Sequence, residues 1–400
     1  MPLNTKLLLR KICRYVYYAG YGNCWYEDIY QETILYQLYS ILTFSIYTTM
    51  IFLENVAALF GNFPEVEKNS SVMFSAIHNI VLTKMFLLYY HKSSIRKLNY
   101  EMATVGATFE EEYVMKKQYR KVTIGIWLYV ISVYLSLAAY GIESARRAIV
   151  EGTPFYTVVT YLPVYDDNSV AALIFRIFFY ITWLYMMLPM MSADCMPITH
   201  LITMTYKFMT LCHHFERIRT EFDRNIKVMN KREAMDKLKA GCLEVLLFNF
   251  CYFFFVEDEI HRVFGIIMSL QVCESSAVAV LLLLRLALSP HLDLTNAFMT
   301  YTFVGSLFLL LALNLWNAGE VTYQASLLSN AIFYNCGWHF CELEQDSQRD
   351  IRNLAFIGCT QAQKPLILKA FGIQDLSYET FVSVSSKNDV LCIRRVLRKR

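Results

Sequence analysis

The sequence has little charge and few of the patterns that enzymes need. Asp, Glu, Lys and Arg make up 18% of its 400 residues, and the formal net charge is +3. It contains no phosphate-binding glycine loop, HExxH or GxSxG, which argues against nucleotide-dependent enzymes, zinc proteases and serine hydrolases. The 11 cysteines form no CxxC pair, and the adjacent His213 and His214 point about 100° apart on a helix, so no metal site or cofactor is predicted. Since these motifs are missing, we expect no enzymatic activity. No basic run is concentrated on one soluble segment, so we expect no nucleic-acid partner either.

Apolar residues, in contrast, are abundant and occur in long stretches. They form 56% of the chain, and a helix needs about 20 largely uncharged residues to cross a bilayer. We therefore predict an all-α membrane protein with one domain, 1–400, and seven transmembrane helices. The expected spans are about 33–58, 71–91, 121–142, 168–206, 262–288, 294–317 and 350–384. The last span is expected to be truncated, because residues 376–384 would form only about 14 Å of helix.

The charges between the spans predict the orientation of the chain. Lys and Arg are frequent before the first span and in the second and fourth connections, whereas the first and third connections carry acidic residues. Basic connections favour the cytoplasm, so the N-terminus is predicted to be cytoplasmic. The Asn69-Ser70-Ser71 sequon then falls outside, where Asn69 is a candidate glycosylation site.

Three segments outside the spans have patterns of their own. Residues 6–30 mix apolar and basic side chains and predict an interfacial or re-entrant helix, with a plain cytosolic tail as the alternative. The apolar run 245–256 is too short to span a bilayer and predicts a helical cytoplasmic anchor region. The third connection is long enough to act as a lid over a pocket or to be a simple connector.

Charged residues interrupt several of the predicted spans, where each costs at least about 2.5 kcal/mol unless it pairs, snorkels or meets water. Lys84 and Arg176 lie near span ends and are expected to snorkel. Glu274 lies near the middle of the fifth span, so it should face a partner or a wet cavity. Both structural pairing and a role in permeation or gating are compatible with that position.

Aromatic side chains are densest in the second to fourth spans. Such residues suit an apolar ligand pocket with one or two polar groups, and they suit ordinary helix packing equally well. The candidate ligand-binding residues are Phe74, Tyr134, Leu137, Tyr140, Phe175, Phe179 and Trp183.

Motifs from the sixth span onward make the chain resemble the insect odorant receptor family. They comprise Trp316, Gly319-Glu320, Ser326, Ala331 and Trp338, then Ala362-Gln363-Lys364-Pro365 and Leu376-Ser377-Tyr378-Glu379-Thr380-Phe381. The resemblance implies a tuning receptor rather than the co-receptor, which has a longer insert between spans four and five. A small volatile ligand would bind in the outer half of spans two, three, four and six.

The resemblance also implies an assembly. Together with the odorant co-receptor, the chain would form a tetrameric, non-selective cation channel in the plasma membrane of olfactory neuron dendrites, with membrane lipid around it. Pore or gating candidates are Glu274, Thr380, Phe381 and Val384. The alternatives are a non-channel chemoreceptor, a transporter-like binding protein or a gustatory-type receptor.

Overall fold

The computed structural model describes residues 4–157, 160–288, 294–336, 345–364, 366–370, 374–380 and 382–383. Almost all of these residues are helical, as the hydrophobic pattern predicts. The α-helices in these ranges are α1 (Thr5–Tyr18), α2 (Ile34–Phe60), α3 (Glu65–Tyr90), α4 (Lys92–Thr104), α5 (Glu112–Val150), α6 (Val170–Val228), α7 (Lys231–Leu288), α8 (Leu294–Asn335) and α9 (Gln345–Ala362). A 3-10 turn, Ala107–Phe109, precedes α5, and two short strands, β1 (Lys369–Ala370) and β2 (Gln374–Asp375), pair antiparallel after α9.

Five helices in the described ranges are long and apolar enough to cross a bilayer. Their segments are Ile34–Phe60, Lys68–Tyr90, Glu112–Val150, Val170–Val228 and Phe298–Asn335. These correspond to the first four expected spans and the sixth, while the fifth, 262–288, forms the last part of α7. With 59 residues, α6 is roughly 88 Å long, far more than the roughly 30 Å of hydrocarbon, so it must project beyond the membrane.

The centre of the bundle is α6, which packs against α1, α3, α5, α7 and α8. All residues in 191–208 of this helix are buried, whereas most residues near the start of α2 are not. A helix that is apolar all round needs neighbours on every side, and five neighbours supply them here. Polar residues in this part of α6 must therefore find partners within the bundle.

The N-terminal segment forms α1, the helix that its mixture of apolar and basic residues predicts. The Asn4 side chain caps it by accepting a hydrogen bond from the Leu7 amide at 2.9 Å. Leu8, Leu9, Ile12, Cys13 and Val16 are buried at helical spacing. This face packs against α4 and α6, so the segment is part of the folded bundle.

The expected seventh span, 350–384, is divided in the structure. Helix α9 ends at Ala362 and packs against α7 and α8, and the β1–β2 hairpin follows it. Proline disfavours helical backbone at the residue before it, and Lys364-Pro365 follows the end of the helix after one residue, Gln363. The described part of 350–384 therefore contains no continuous helix of spanning length.

Residues of the Trp316-to-Glu320 motif and of the Leu376-to-Phe381 motif meet in space. The Tyr378 ring lies edge-on to Trp316, with centroids 5.0 Å apart, and its hydroxyl donates a hydrogen bond of 2.7 Å to Glu320. A Cβ atom at Gly319 would lie 3.1 Å from the same ring, so the small residue allows this close approach. The contact fastens the segment after β2 to the middle of α8.

Candidate ligand cavity and buried charge network

A largely enclosed cavity lies among α3, α5, α6, α7 and α8. The centre of a water-sized sphere can occupy about 70 Å³ of it. Four of the seven predicted ligand residues line it: Phe74, Leu137, Tyr140 and Trp183. Binding sites for small ligands are typically apolar cavities with a few polar groups, so this is the best candidate site in the described part of the chain.

One wall of the cavity is a set of aromatic rings from three helices. Phe303 of α8 lies 5.7 Å from Phe74 and 6.2 Å from Tyr140, centroid to centroid, and all three contacts within this trio have an edge-on geometry. Phe303 was not among the residues that the aromatic pattern predicted for the ligand pocket. The spacing of Phe303, Ser306, Leu307 and Leu310, all of which line the cavity, is the helical signal that would have found this face of α8.

The other three predicted ligand residues lie elsewhere. The Tyr134 hydroxyl donates to the Leu184 carbonyl at 3.3 Å, and its side chain lines a different groove. Phe175 is 56% exposed, and Phe179 packs beside it at 6.5 Å. Each step of four residues rotates a helix position by roughly 40°, so the direction changes by roughly 80° between Phe175 and the buried Trp183.

The cavity has polar groups at its margin. His78 lies 2.6 Å from a Glu54 carboxylate oxygen and stacks on Trp183 at 4.0 Å. Two other residues that line the cavity, Trp183 and Ser136, each have a buried polar atom, Nε1 and Oγ, with no hydrogen-bond partner among the described residues. A buried donor without a partner costs about 1 to 3 kcal/mol, so a ligand oxygen that accepted from these groups would gain affinity.

Beside the cavity lies a buried charge network centred on Lys84. Its Nζ is 2.9 Å from Asp194 Oδ1, 2.8 Å from Glu274 Oε2 and 2.5 Å from Gln271 Oε1. The Tyr129 hydroxyl donates to the second oxygen of Asp194 at 2.7 Å. Three helices, α3, α6 and α7, thus meet through one ammonium group.

The expectation that Lys84 snorkels is wrong. Its side chain is only 1% exposed, because Asp194 and Glu274 face it from two neighbouring helices. Glu274 has the partner that its position required, and it lines the cavity as well. The network is therefore in contact with the candidate site through Glu274 and Tyr129.

Arg176 is buried near the start of α6, where it holds the connection between α5 and α6. Its guanidinium donates to the Val164 and Tyr165 carbonyls at 3.0 and 3.1 Å and lies 4.5 Å from the Tyr156 ring centroid. Thr157 of the same connection lines the cavity. The connection therefore contributes to the cavity wall.

The remaining predicted site residues are spread over the molecule. Asn69 is exposed in the first turns of α3. The Thr380 hydroxyl donates to the Asp375 carbonyl at 2.5 Å, and Thr380 is not among the residues that line the cavity. Phe381 and Val384 lie outside the described residues.

Comparison with known proteins places this arrangement in context. A family model described as 7tm Odorant receptor matches residues 62–386 of the chain. The chain also matches the structure of the insect olfactory receptor OR5 from Machilis hrabei, with a TM-score of 0.74, and the structure of that receptor in complex with eugenol, with a TM-score of 0.77. Each is 12% identical, and each match covers 98% of both chains. No curated protein matches the chain.

Proposed function

Since the chain belongs to the 7tm odorant receptor family, we propose that it is the odorant-sensing subunit of a ligand-gated, non-selective cation channel. A small, mainly apolar volatile binds in the cavity among α3, α5, α6, α7 and α8. The observation that carries this proposal is the cavity itself, which combines the aromatic trio of Phe74, Tyr140 and Phe303 with a few polar groups. The complex of the Machilis hrabei receptor with eugenol supports a small organic ligand.

Ligand binding opens the channel through differential affinity for two conformations of the bundle. A ligand shifts such an equilibrium only by the difference between its binding free energies for the two states. The cavity suits this role because helices from distant parts of the chain form its walls, so the same ligand senses their relative positions. Glu274 extends this contact to Lys84 and Asp194 on α3 and α6.

The channel is proposed to contain the odorant co-receptor as a second kind of subunit, in a tetramer at the plasma membrane of sensory dendrites. The long projections of α6, α7 and α8, together with α9, supply a helical region outside the spans for assembly. The pore is proposed to involve the segment after Leu376, with Thr380, Phe381 and Val384 as candidate lining residues and Glu274 as a gating candidate.

A matched pair of variants on α5 tests the ligand site. Leu137 lines the cavity, whereas Leu135 on the same helix is 54% exposed. Leu137→Trp would fill the cavity and should raise the half-maximal odorant concentration at least tenfold, about 1.4 kcal/mol of binding free energy. Leu135→Trp should leave it within about twofold, since it adds the same ring on the lipid-facing side.

The measurement is odour-evoked cation current in cells that express the chain with the co-receptor, with surface delivery quantified for each variant. Equal sensitivity in the two variants would contradict the cavity as the ligand site. Ligand binding without any current, despite normal delivery, would favour the second candidate, a non-channel chemoreceptor or transporter-like binding protein.

A further inference from the structure

A second groove, distinct from the candidate ligand cavity, lies between α1, α5 and α6. About 340 Å³ of it is open to the centre of a water-sized sphere. Each helix contributes one stripe at helical spacing: 8, 11, 12, 15 and 16 from α1, 119 to 134 from α5, and 188, 191, 192 and 195 from α6. From this groove we infer a binding site for a membrane phospholipid with an anionic headgroup.

The shape of the groove suits one acyl chain. The α5 stripe runs from Tyr119 to Tyr134, which is about 22 Å of helix and exceeds the roughly 15 Å thickness of one hydrocarbon leaflet. Two lining side chains, Tyr15 and Trp127, are 46% and 60% exposed, so the groove opens sideways where the bilayer lies. An occupant therefore enters from the membrane rather than from water.

The lining is apolar along most of its length. Ile12, Val122, Ile126, Val130 and Met191 form much of the wall. The hydroxyl of Ser192 already donates to the Leu188 carbonyl at 2.9 Å, so it needs no hydrogen-bond acceptor from a bound molecule. A hydrocarbon chain satisfies such a wall, because it fills the groove with close apolar contacts and leaves no polar group without a hydrogen bond.

Positive charge is concentrated at one end. Lys11 lines the groove where α1 meets α5, and its Nζ contacts the Tyr119 hydroxyl at 2.6 Å. An ammonium has three donors, so two remain for a phosphate oxygen. Arg14 lies three residues after Lys11 on α1, and Lys116 lies three residues before Tyr119 on α5. Both are exposed, and this spacing places them on the same sides of their helices as Lys11 and Tyr119.

The position of this basic end agrees with the depth of a phosphate group. Lys11 and Tyr119 lie beside residue 121, where the third span is expected to leave the hydrocarbon. Juxtamembrane Lys and Arg each attract anionic lipid by about 1 kcal/mol. The acyl tail thus fills the apolar stripe while the phosphate meets Lys11 and its basic neighbours, and the lipid joins α1 to the bundle.

Photolabelling of the full-length protein in nanodiscs tests the site and needs no channel activity. The probes are phosphatidylglycerol and phosphatidylcholine, each with a diazirine in its acyl chain, and mass spectrometry locates the label. We expect the label on peptides of α1 and on 119–134 of α5. Phosphatidylglycerol should label several-fold more than phosphatidylcholine.

Two pairs of variants test the binding of the acyl tail and the binding of the headgroup separately. Ile126→Trp fills the groove and should reduce this labelling at least fivefold, whereas Ile131→Trp, at a position 57% exposed on the same helix, should not. Lys116→Gln should reduce the preference for phosphatidylglycerol about fivefold, and Lys11→Gln should do the same while also losing the Tyr119 contact.

Several results would overturn the proposal. Labelling of Ile126→Trp at the parent level would show that the groove does not hold the tail. Equal labelling by both lipids would remove the anionic specificity. Loss of the label on addition of saturating odorant would identify the groove as an odorant site instead.

Discussion

Replacing Lys84 by methionine should be far more damaging than replacing either acid that it neutralises. The network holds one cation and two carboxylates, Asp194 and Glu274, all at most 2% exposed. Lys84→Met leaves both carboxylates buried without their cation. Removing one partner of a buried pair typically costs about 3 to 5 kcal/mol, and Lys84 is the partner of two.

Glu274→Gln should be mild by comparison. It removes one of two negative charges and leaves Lys84 paired with Asp194 at 2.9 Å, so the network becomes a neutral pair. Replacing all three residues, Lys84→Met with Asp194→Asn and Glu274→Gln, should recover most of the loss, because no uncompensated charge is left in the bundle.

The assay is the midpoint of a thermal challenge of the full-length protein in detergent, followed by size-exclusion chromatography. Lys237→Met is the control, since that lysine is 56% exposed and its contact with Glu233 is 3.7 Å. Such exposed pairs contribute about 0 to 1 kcal/mol, so its midpoint should stay near that of the parent. If Lys84→Met had the same thermal midpoint as Lys237→Met, or if Glu274→Gln lowered the midpoint as much as Lys84→Met, Lys84 would not be the cation that neutralises this network.

Asn69→Gln should remove one glycan from protein made in insect cells, seen as a mobility shift equal to that caused by glycosidase; an unshifted variant would place Asn69 away from the glycosylation machinery. The Lys6 hydrogen bond lowers the pKa of Glu27, so its contribution is present above the carboxyl's ordinary pKa of 4.5 and is lost as the pH falls through the lower folded value. The amide protection factors of α1, which allow for the slower intrinsic exchange at low pH, should therefore fall on acidification below pH 4.5, and Glu27→Gln should remove that dependence. Tyr378→Phe deletes the 2.7 Å bond to Glu320 and should lower the thermal midpoint by an amount equivalent to about 1 to 3 kcal/mol, whereas an unchanged midpoint would show that the motif contact contributes little to stability.

Some properties could be predicted from sequence because they depend on local composition. Apolar runs of spanning length predicted five of the helices that the structure shows to be long and apolar enough to cross a bilayer. Helix α1 was predictable from its spacing of Leu8, Ile12 and Val16 among basic residues. The family could be recognised from short motifs, because such motifs are read from neighbouring residues. In the structure three of their residues meet, since the Tyr378 ring packs on Trp316 and its hydroxyl donates to Glu320.

Other properties depend on which face of each helix meets which neighbour, and this is not local. The sequence predicted that Lys84 snorkels because its nearest span end is a few residues away, whereas its partners Asp194 and Glu274 are 110 and 190 positions further along the chain. It also grouped Phe175 with Trp183, although the rotation between them points one outward and buries the other.

The sequence by itself therefore determined that this protein is an all-helical membrane protein of the odorant receptor family, since apolar length and short motifs are written residue by residue. Only the tertiary structure decided which aromatics share a cavity and which charges pair. Those outcomes depend on the rotation and packing of α3, α5, α6, α7 and α8 against one another, and no one helix specifies them alone.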